Sequence, residues 1–240
     1  MTRAFLILII LISSNIIVGA QEKKIDYINS KLPELAKSLG WDISSLNTAS
    51  KEEYLTQHEK DVVLAINMVR TNPRKFTTDF ILPLENCFVK KVMTVPGGEG
   101  VVTDEGAKAV YELIKVLPKA EKCELLIPSK GLRKAASDLA NYQEKTGKTG
   151  HIGDKGETLS KRVLKYGKYS STIAENVSYG EESALMVVIT LLIDDGVSSR
   201  GHRENILNQK LKQVGVVWGK HPKFDKMCVM TFGSDFTEKK

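Results

Sequence analysis

Apolar positions recur at helical spacing through most of the chain, and they predict its regular elements. Val62, Val63 and Ile66 follow a Thr-x-x-Glu capping box that opens at Thr56, so a helix is expected from there to Asn72. Similar apolar stripes and Gly or Pro stops predict four later helices. These helices cover approximately residues 104–117, 129–147, 159–166 and 183–193.

The pattern changes near the end of the chain, where runs rich in β-branched and aromatic residues replace the helical spacing. Residues 171–179, 214–218 and 227–232 are each predicted to form a strand. The segment 219–225 contains Gly and Pro, so the last two strands are expected to pair as an antiparallel hairpin. Helices early and strands late predict an α+β sandwich and not an alternating parallel sheet.

Two segments outside this pattern need separate predictions. Residues 80–102 carry Pro83, Pro96 and a glycine cluster, which predicts a mobile surface loop. Residues 21–55 form a polar leader, in which apolar positions from Ile28 to Leu39 recur at helical spacing. A short helix lying on the main domain is expected there.

The first residues have the pattern of a secretory signal peptide. Arg3 provides a positive start, an apolar run extends from Phe5 to Ile17, and Ala20 precedes Gln21. Cleavage is expected after Ala20, which predicts a secreted, extracellular protein. The alternative, an uncleaved anchor, needs a longer and less polar run than this one.

The charge of the chain restricts its partners only loosely. The net charge is +6, and Arg3 of the signal peptide contributes one unit of it. Because the lysines are interspersed with acids and no basic cluster includes aromatic residues, nucleic acid is not an expected partner. A lysine-rich surface is consistent with ordinary solvation or with weak contact to an anionic membrane surface.

The three cysteines allow one disulfide in an exported chain. Cys87 and Cys123 flank the same loop-rich insertion, and a bridge between them is one expectation. Cys228 lies in an apolar strand-like run and is predicted to be a buried thiol.

Candidate chemistry is concentrated in three short motifs. His151 lies in Gly-His-Ile-Gly, Glu175 in Ala-Glu-Asn-Val, and His202 in Gly-His-Arg-Glu-Asn-Ile-Leu-Asn, with Asp194 and Asp195 shortly before it. Histidine and carboxylate groups brought together can hold a divalent metal such as zinc, or move a proton. They can also form an internal hydrogen-bond network that only stabilises a cleft.

These motifs and their order resemble those of the CAP superfamily, also called the SCP/PR-1 or cysteine-rich secretory protein domain, in its Gly-His-Arg form. The resemblance covers about residues 56–236. It implies a three-layer α-β-α sandwich with a small antiparallel sheet between helices. It also implies a central cleft in which His151, Glu175 and His202 meet a second acid, either Asp194 or Asp195.

The resemblance leaves three functions open. In the first, a secreted non-enzymatic protein binds a lipid, sterol or other small apolar ligand, and His151 and His202 hold a divalent metal. In the second, the same histidines hold the metal of a hydrolase or protease, with Glu175 as general base. In the third, an extracellular interaction or defence protein acts through its surface. The first is our principal prediction.

Overall fold

The computed structural model describes residues 25–239, and the predicted signal peptide, residues 1–20, lies outside this range. Within residues 25–239, no helix combines the length and the apolar character needed to cross a bilayer. The α-helices in this range are α1 (Leu32–Ser38), α2 (Ile43–Leu46), α3 (Gln57–Thr71), α4 (Pro73–Phe76), α5 (Ala107–Val116), α6 (Lys130–Thr146), α7 (Leu159–Tyr166), α8 (Ala184–Ile193) and α9 (Gly201–Ile206). The strands are β1 (Phe88–Val89), β2 (Val92–Thr94), β3 (Gly100–Val102), β4 (Ile127–Pro128), β5 (Gly167–Lys168), β6 (Ile173–Tyr179), β7 (Gln213–His221), β8 (Asp225–Gly233) and β9 (Thr237–Glu238).

A four-stranded sheet lies at the centre, in the order β4-β7-β8-β6. The β7–β8 hairpin and the β6–β8 pair are antiparallel, as expected, whereas the short β4 adds to β7 in parallel. Helix α6 packs against one face of this sheet, and α3 and α8 contact its other side through β7 and β6. The mixed α+β fold with a sheet between helices is therefore confirmed.

The helix boundaries follow the capping chemistry that the sequence predicts. At the start of α3, the Thr56 hydroxyl accepts from the backbone N–H of Glu59 at 3.3 Å. The Glu59 carboxylate in turn accepts from the backbone N–H of Thr56 at 2.7 Å, which completes the capping box. Helix α6 ends at Gly147, which adopts the left-handed conformation with a φ of 65°.

One glycine sets the distance between α6 and the sheet. A Cβ atom at Gly215 of β7 would lie 2.0 Å from the backbone nitrogen of Arg133 in α6. Helix and strand therefore touch backbone to backbone at this position, which only glycine allows.

The prediction of a loop over residues 80–102 is wrong in most of its length. A π-helical turn at Thr77–Ile81 and a 3₁₀-helix at Leu82–Cys87 lead into a three-stranded antiparallel sheet, β1-β2-β3. The strands have only two or three residues each, which is too short for alternation to register as a pattern. We call residues 88–102 the small sheet.

The leader is part of the core. Tyr27 and Trp41 are buried, and the Tyr27 hydroxyl donates to the carbonyl oxygen of Phe80 at 3.0 Å. The Trp41 indole donates to the Asp79 carboxylate at 2.8 Å. Residues 25–55 therefore pack against the segment that leads into the small sheet.

The cysteines differ in part from expectation. Cys123 carries a free thiol whose sulfur lies 3.2 Å from the carbonyl oxygen of Leu207, so the suggested bridge to Cys87 is not formed. Cys228 is a buried thiol, as predicted, and burial raises its pKa.

Candidate functional site

The candidate site is built around strand β6, which forms one edge of the central sheet. Glu175 and Asn176 are consecutive on this strand, so their side chains point to opposite faces. Glu175 contacts His151, which follows α6, and Asn176 donates to the carbonyl oxygen of His202 in α9 at 2.9 Å. The two histidines therefore come from opposite helical layers and meet at this edge.

His151 is held by the loop that follows α6. The side chain of Gln143 donates to the carbonyl oxygen of Gly150 at 2.6 Å, and the Gly150 N–H donates to the Tyr179 hydroxyl at 2.9 Å. The His151 ring then places Nδ1 3.1 Å from Oε1 of Glu175. The side chain of His151 is 49% exposed, so the ring lies at the mouth of the cleft.

Glu175 is paired with a residue that lies outside the three predicted motifs. Arg162 of α7 donates from Nη2 to both Glu175 oxygens, at 2.8 and 2.7 Å. Both side chains are buried, with exposures of 0% for Arg162 and 2% for Glu175. The same guanidinium donates from Nη1 to the carbonyl oxygen of His151 at 3.1 Å, so it fixes both the acid and the histidine.

The sequence does contain a signal for Arg162. It lies between Leu159, Val163 and Tyr166 on the apolar side of α7, at the spacing that predicts the buried face. A charged residue on such a face is almost never buried without a partner. A buried acid is therefore the partner to look for, and Glu175 fills that role.

His202 is held by Asp194 through two contacts. The Nδ1 atom of the ring lies 2.6 Å from Oδ1 of Asp194, and the backbone N–H of His202 donates to Oδ2 at 2.9 Å. The preceding Arg200 makes no side-chain cap for α9, so the Asp194 carboxylate satisfies a free donor at the start of that helix. Asp194 is buried, whereas the His202 side chain is 26% exposed.

Asp195 points away from the histidines. Its carboxylate accepts from the backbone N–H groups of Asp104 and Glu105, at 2.5 and 2.9 Å, just before α5. Asp194 has a left-handed backbone with a φ of 55°, which turns the chain between the two acids. Of the two candidates for the second cleft acid, only Asp194 contacts a histidine in residues 25–239.

A cluster of arginines and acids ties this turn to α5. Arg200 donates to the Glu105 carboxylate at 2.6 and 2.8 Å and to the carbonyl oxygen of Asp194 at 2.7 Å. The hydrogen bond from Arg200 lowers the pKa of Glu105 to about 2, with help from the backbone N–H of Gly196. Arg203 also joins the cluster through Glu112, at 2.7 Å. The position of Asp194 is therefore set by a network outside the cleft.

The two imidazole rings face each other across the cleft. Their centroids are 6.5 Å apart, and the planes are tilted by 37°. Because each Nδ1 contacts a carboxylate, the Nε2 atoms are the nitrogens left to bind a ligand. Histidines oriented in this way by carboxylates are typical of metal sites.

The side chains of the cleft would suit only an open metal site, in which water completes the coordination of the ion. Within residues 25–239, no group of three or more His, Cys, Asp or Glu side chains is arranged to hold a metal ion. Glu175 and Asp194 are engaged by Arg162 and by the histidines, so they serve to orient the rings. His151 and His202 would therefore supply two ligands to a divalent ion, and water would supply the others, unlike in a closed structural zinc site.

A separate cavity of about 520 Å³ lies between α8 and the small sheet. Met186 and Ile193 of α8 line one side of it, and Phe88, Met93 and Val95 line the other. Neither His151 nor His202 is among the residues that line it. The volume is in the range of pockets that hold small molecules.

The leader closes one rim of this cavity. The backbone N–H of Tyr27 donates to the carbonyl oxygen of Pro96 at 3.2 Å, and Ile28 lines the wall. At Gly97, which has a φ of +86°, an added Cβ would lie 2.2 Å from a carboxylate oxygen of Asp26. The turn that joins β2 to β3 therefore fits closely against the leader only as glycine.

Comparison with solved structures gives three distant similarities. An outer surface protein from Borrelia burgdorferi is 23% identical, with 56% of this chain and 96% of that chain covered and a TM-score of 0.39. An extracellular SCP-domain protein from Bacillus anthracis is 19% identical, with 47% and 35% covered and a TM-score of 0.37. The CAP domain of enterococcal PrgA is 15% identical, with 78% and 82% covered and a TM-score of 0.33.

Among curated proteins, none matches this sequence. The model of the CAP family, described as the cysteine-rich secretory protein family, matches residues 65–232. That range contains both histidines, Glu175, Asp194 and the whole β7–β8 hairpin except its last residue. The chain therefore belongs to the CAP, or cysteine-rich secretory protein, family.

Proposed function

We propose that this CAP-domain protein is a secreted, non-catalytic binding protein. Its ligand is a lipid, a sterol or another small apolar molecule, and it occupies the cavity between α8 and the small sheet. A divalent metal such as zinc binds at His151 and His202. The observation that carries the proposal is the cavity itself, which has a volume of about 520 Å³ and a mostly apolar lining.

Support for secretion comes from the sequence. Residues 1–20 have the order of a signal peptide, a positive residue followed by an apolar run and a small residue before the cleavage point. Cleavage after Ala20 would leave the buried part of the leader intact, because the described core begins at Ile25.

The metal part of the proposal rests on the orientation of the rings. Carboxylates at 3.1 and 2.6 Å hold the two Nδ1 atoms, and this leaves Nε2 of each ring for the ion. When bound, the ion would supply a positive centre at the cleft mouth. His151 and His202 would hold it, and Glu175 and Asp194 would fix the tautomer and orientation of the two rings.

The geometry gives little support to a metal-dependent hydrolase. A general base needs an oxygen free to reach the attacking water. Both oxygens of Glu175 accept from Arg162, and Thr231 also donates to Oε2 at 3.4 Å. We therefore assign Glu175 an orienting role for His151 rather than a catalytic one.

Metal analysis and native mass spectrometry of one purified sample would test both parts. We expect a bound apolar molecule, and we expect it to be lost in Thr190→Phe, a variant that fills the cavity from α8. Circular dichroism would establish that this variant is folded. A protein that neither carries nor takes up any apolar molecule would contradict the ligand part.

Zinc titration calorimetry would test the metal part. We expect His202→Ala to weaken zinc binding at least tenfold, because one of two protein ligands is lost. His58→Ala is the matched control, since His58 is exposed and its ring contacts Trp218 and not a cleft residue, with 5.0 Å between the ring centroids. Equal zinc affinity in the wild type and in His202→Ala would refute the metal site.

A further inference from the structure

The lining of the cavity between α8 and the small sheet is acidic, unlike the chain as a whole. Its apolar lining is interrupted by four acidic residues, and no Lys, Arg or His of residues 25–239 lines it. The chain as a whole is basic, with a net charge of +6. The acids in the lining are Glu99, Glu181, Glu182 and Asp195.

Three of the four acids already have a partner or are exposed to water. Asp195 accepts from two backbone N–H groups, Glu182 pairs with Lys226, and Glu99 is exposed. Glu181 differs from them, because it is partly buried and none of the ion pairs in residues 25–239 includes it. It lies at the start of the segment that enters α8, on the cavity wall with Met186 and Thr190.

The protonation of Glu181 reflects this environment. Burial raises its pKa to about 7, the nearby Thr190 hydroxyl offsets part of that rise, and the charge of the adjacent Glu182 adds a smaller increase. A carboxyl group in apolar surroundings takes up a proton when no cation balances its charge. A cation placed in the cavity would supply that balance and displace the proton.

We propose that the cavity binds a cationic amphiphile, an apolar molecule that carries a single primary or secondary ammonium group, and that Glu181 is its counter-ion. The apolar body would lie against Phe88, Met93 and Ile193, and the ammonium group would contact Glu181. This inference rests on the proposed function, because it names the class of the apolar ligand in the same cavity.

The charge of the lining favours an amine over an acid of the same shape. A fatty acid would bring a second carboxylate beside Glu181 and find no Lys, Arg or His in the described lining to neutralise it. An ammonium group would form an ion pair with the partly buried Glu181, and truncating one partner of such a pair is costly.

A matched pair of probes would test the proposal on the full-length protein. 1-Naphthylmethylamine and 1-naphthalenemethanol have the same shape and differ in charge, and their fluorescence reports binding directly. At pH 8 and 0.15 M salt, we expect the amine to bind at least tenfold more tightly than the alcohol. Glu181→Gln should reduce this preference to less than twofold, and the neighbouring Glu182→Gln should leave it unchanged.

The release of a proton from Glu181 gives an independent measurement of amine binding. Calorimetric titration at pH 7 in buffers of different ionisation enthalpy should detect a proton released when the amine binds, and none when the alcohol binds. The charged groups near the cavity are Glu99, Glu182 with Lys226, and Asp195, so proton release should persist in Glu182→Gln and disappear in Glu181→Gln.

The outcomes separate this inference from the proposed function. If both probes bind the wild type equally, and Thr190→Phe abolishes both, the cavity binds apolar ligands and the role of Glu181 is refuted. If neither probe binds, the amine inference fails, and native mass spectrometry of the purified protein decides the proposed function separately. If amine binding persists in Thr190→Phe, the amine is attracted to the acidic surface, and the cavity assignment is overturned.

Discussion

The histidine cleft and the cavity between α8 and the small sheet differ in whether their carboxylates have a partner in the protein. In the cleft, the buried Glu175 has Arg162 as its partner, and the buried Asp194 contacts His202 twice. In the cavity, the partly buried Glu181 is in no ion pair formed by residues 25–239. In the first region each buried carboxylate contacts a basic side chain, and in the second no ion pair within residues 25–239 includes Glu181.

This difference bears on where function should be sought in the molecule. The residues that carry the family resemblance fix the cleft geometry, and their carboxylates are used in doing so. The cavity is lined by Ile28 of the leader, by the small sheet and by α8, and neither cleft histidine lines it. Of these elements, only the leader lies outside the family match at residues 65–232. The motifs that carry the family resemblance therefore do not describe the lining of the cavity.

Removal of Arg162 should have the largest effect. Arg162→Met leaves the Glu175 carboxylate buried without its cation, which we expect to lower the free energy of unfolding by about 3–5 kcal/mol. Urea denaturation at pH 7 would measure the change. If the double variant Arg162→Met/Glu175→Gln restores much of the lost stability, the cost is attributed to the unpaired charge of Glu175.

The same helix provides a control for that experiment. Lys165 of α7 pairs with Asp138 at 2.9 Å and with Glu157 at 2.7 Å, but its side chain is 45% exposed. We expect Lys165→Met to cost less than about 1 kcal/mol. If the two variants cost the same, the cleft pair is no more than a surface ion pair.

Neutralising Glu181 should have the next largest effect on the free energy of unfolding, and it should raise that free energy. The folded-state pKa of about 7 lies above the usual glutamate value of 4.5, so Glu181 lowers stability as the pH rises through that interval. We expect Glu181→Gln to match the wild type near pH 4.5 and to be more stable by about 2 kcal/mol at pH 8.

Urea denaturation at several pH values would follow this difference. Glu182→Gln is the matched control, since Glu182 pairs with Lys226 and should give no stability gain above pH 7. A Glu181→Gln variant that is less stable than the wild type at pH 8 would mean that Glu181 already has a favourable partner, and the contrast with the cleft would disappear.

The smallest expected effect concerns the two adjacent aspartates. Asp194→Asn removes the charge that orients the His202 ring and should weaken zinc binding about tenfold. Asp195→Asn should leave zinc affinity unchanged, because Asp195 contacts backbone N–H groups before α5. Zinc titration calorimetry on both variants would decide the comparison, and equal losses would refute the assignment of Asp194 to the cleft.

The helices and the late hairpin could be predicted because their signals are local. The capping box at Thr56 and the glycine stop at Gly147 are read from a few neighbouring residues, and both are present in the structure. Partners could not be predicted in the same way. Arg162 and Glu175 meet only after α7 packs beside β6, and the choice between Asp194 and Asp195 depends on one left-handed residue.

His221 is buried for a reason that its neighbours in the sequence do not show. Its place beside Pro222, between two strands, predicts an exposed turn residue, yet it is only 2% exposed. Its Nε2 contacts the carbonyl oxygen of Lys148 at 3.1 Å, and its ring packs against Tyr179 and Phe224. The hairpin is longer than its β-rich runs suggest, so His221 lies within β7 and is covered by the loop after α6.

The buried leader extends the folded domain beyond the residues that the family model matches. The family match begins at residue 65, but Tyr27 and Ile28 hold or line the cavity rim, and Trp41 bonds to Asp79. The buried core therefore extends beyond the part of the chain that the family model matches. A fragment that began at residue 56 would lose one wall of the cavity and expose the apolar core that Trp41 and Leu46 help to cover.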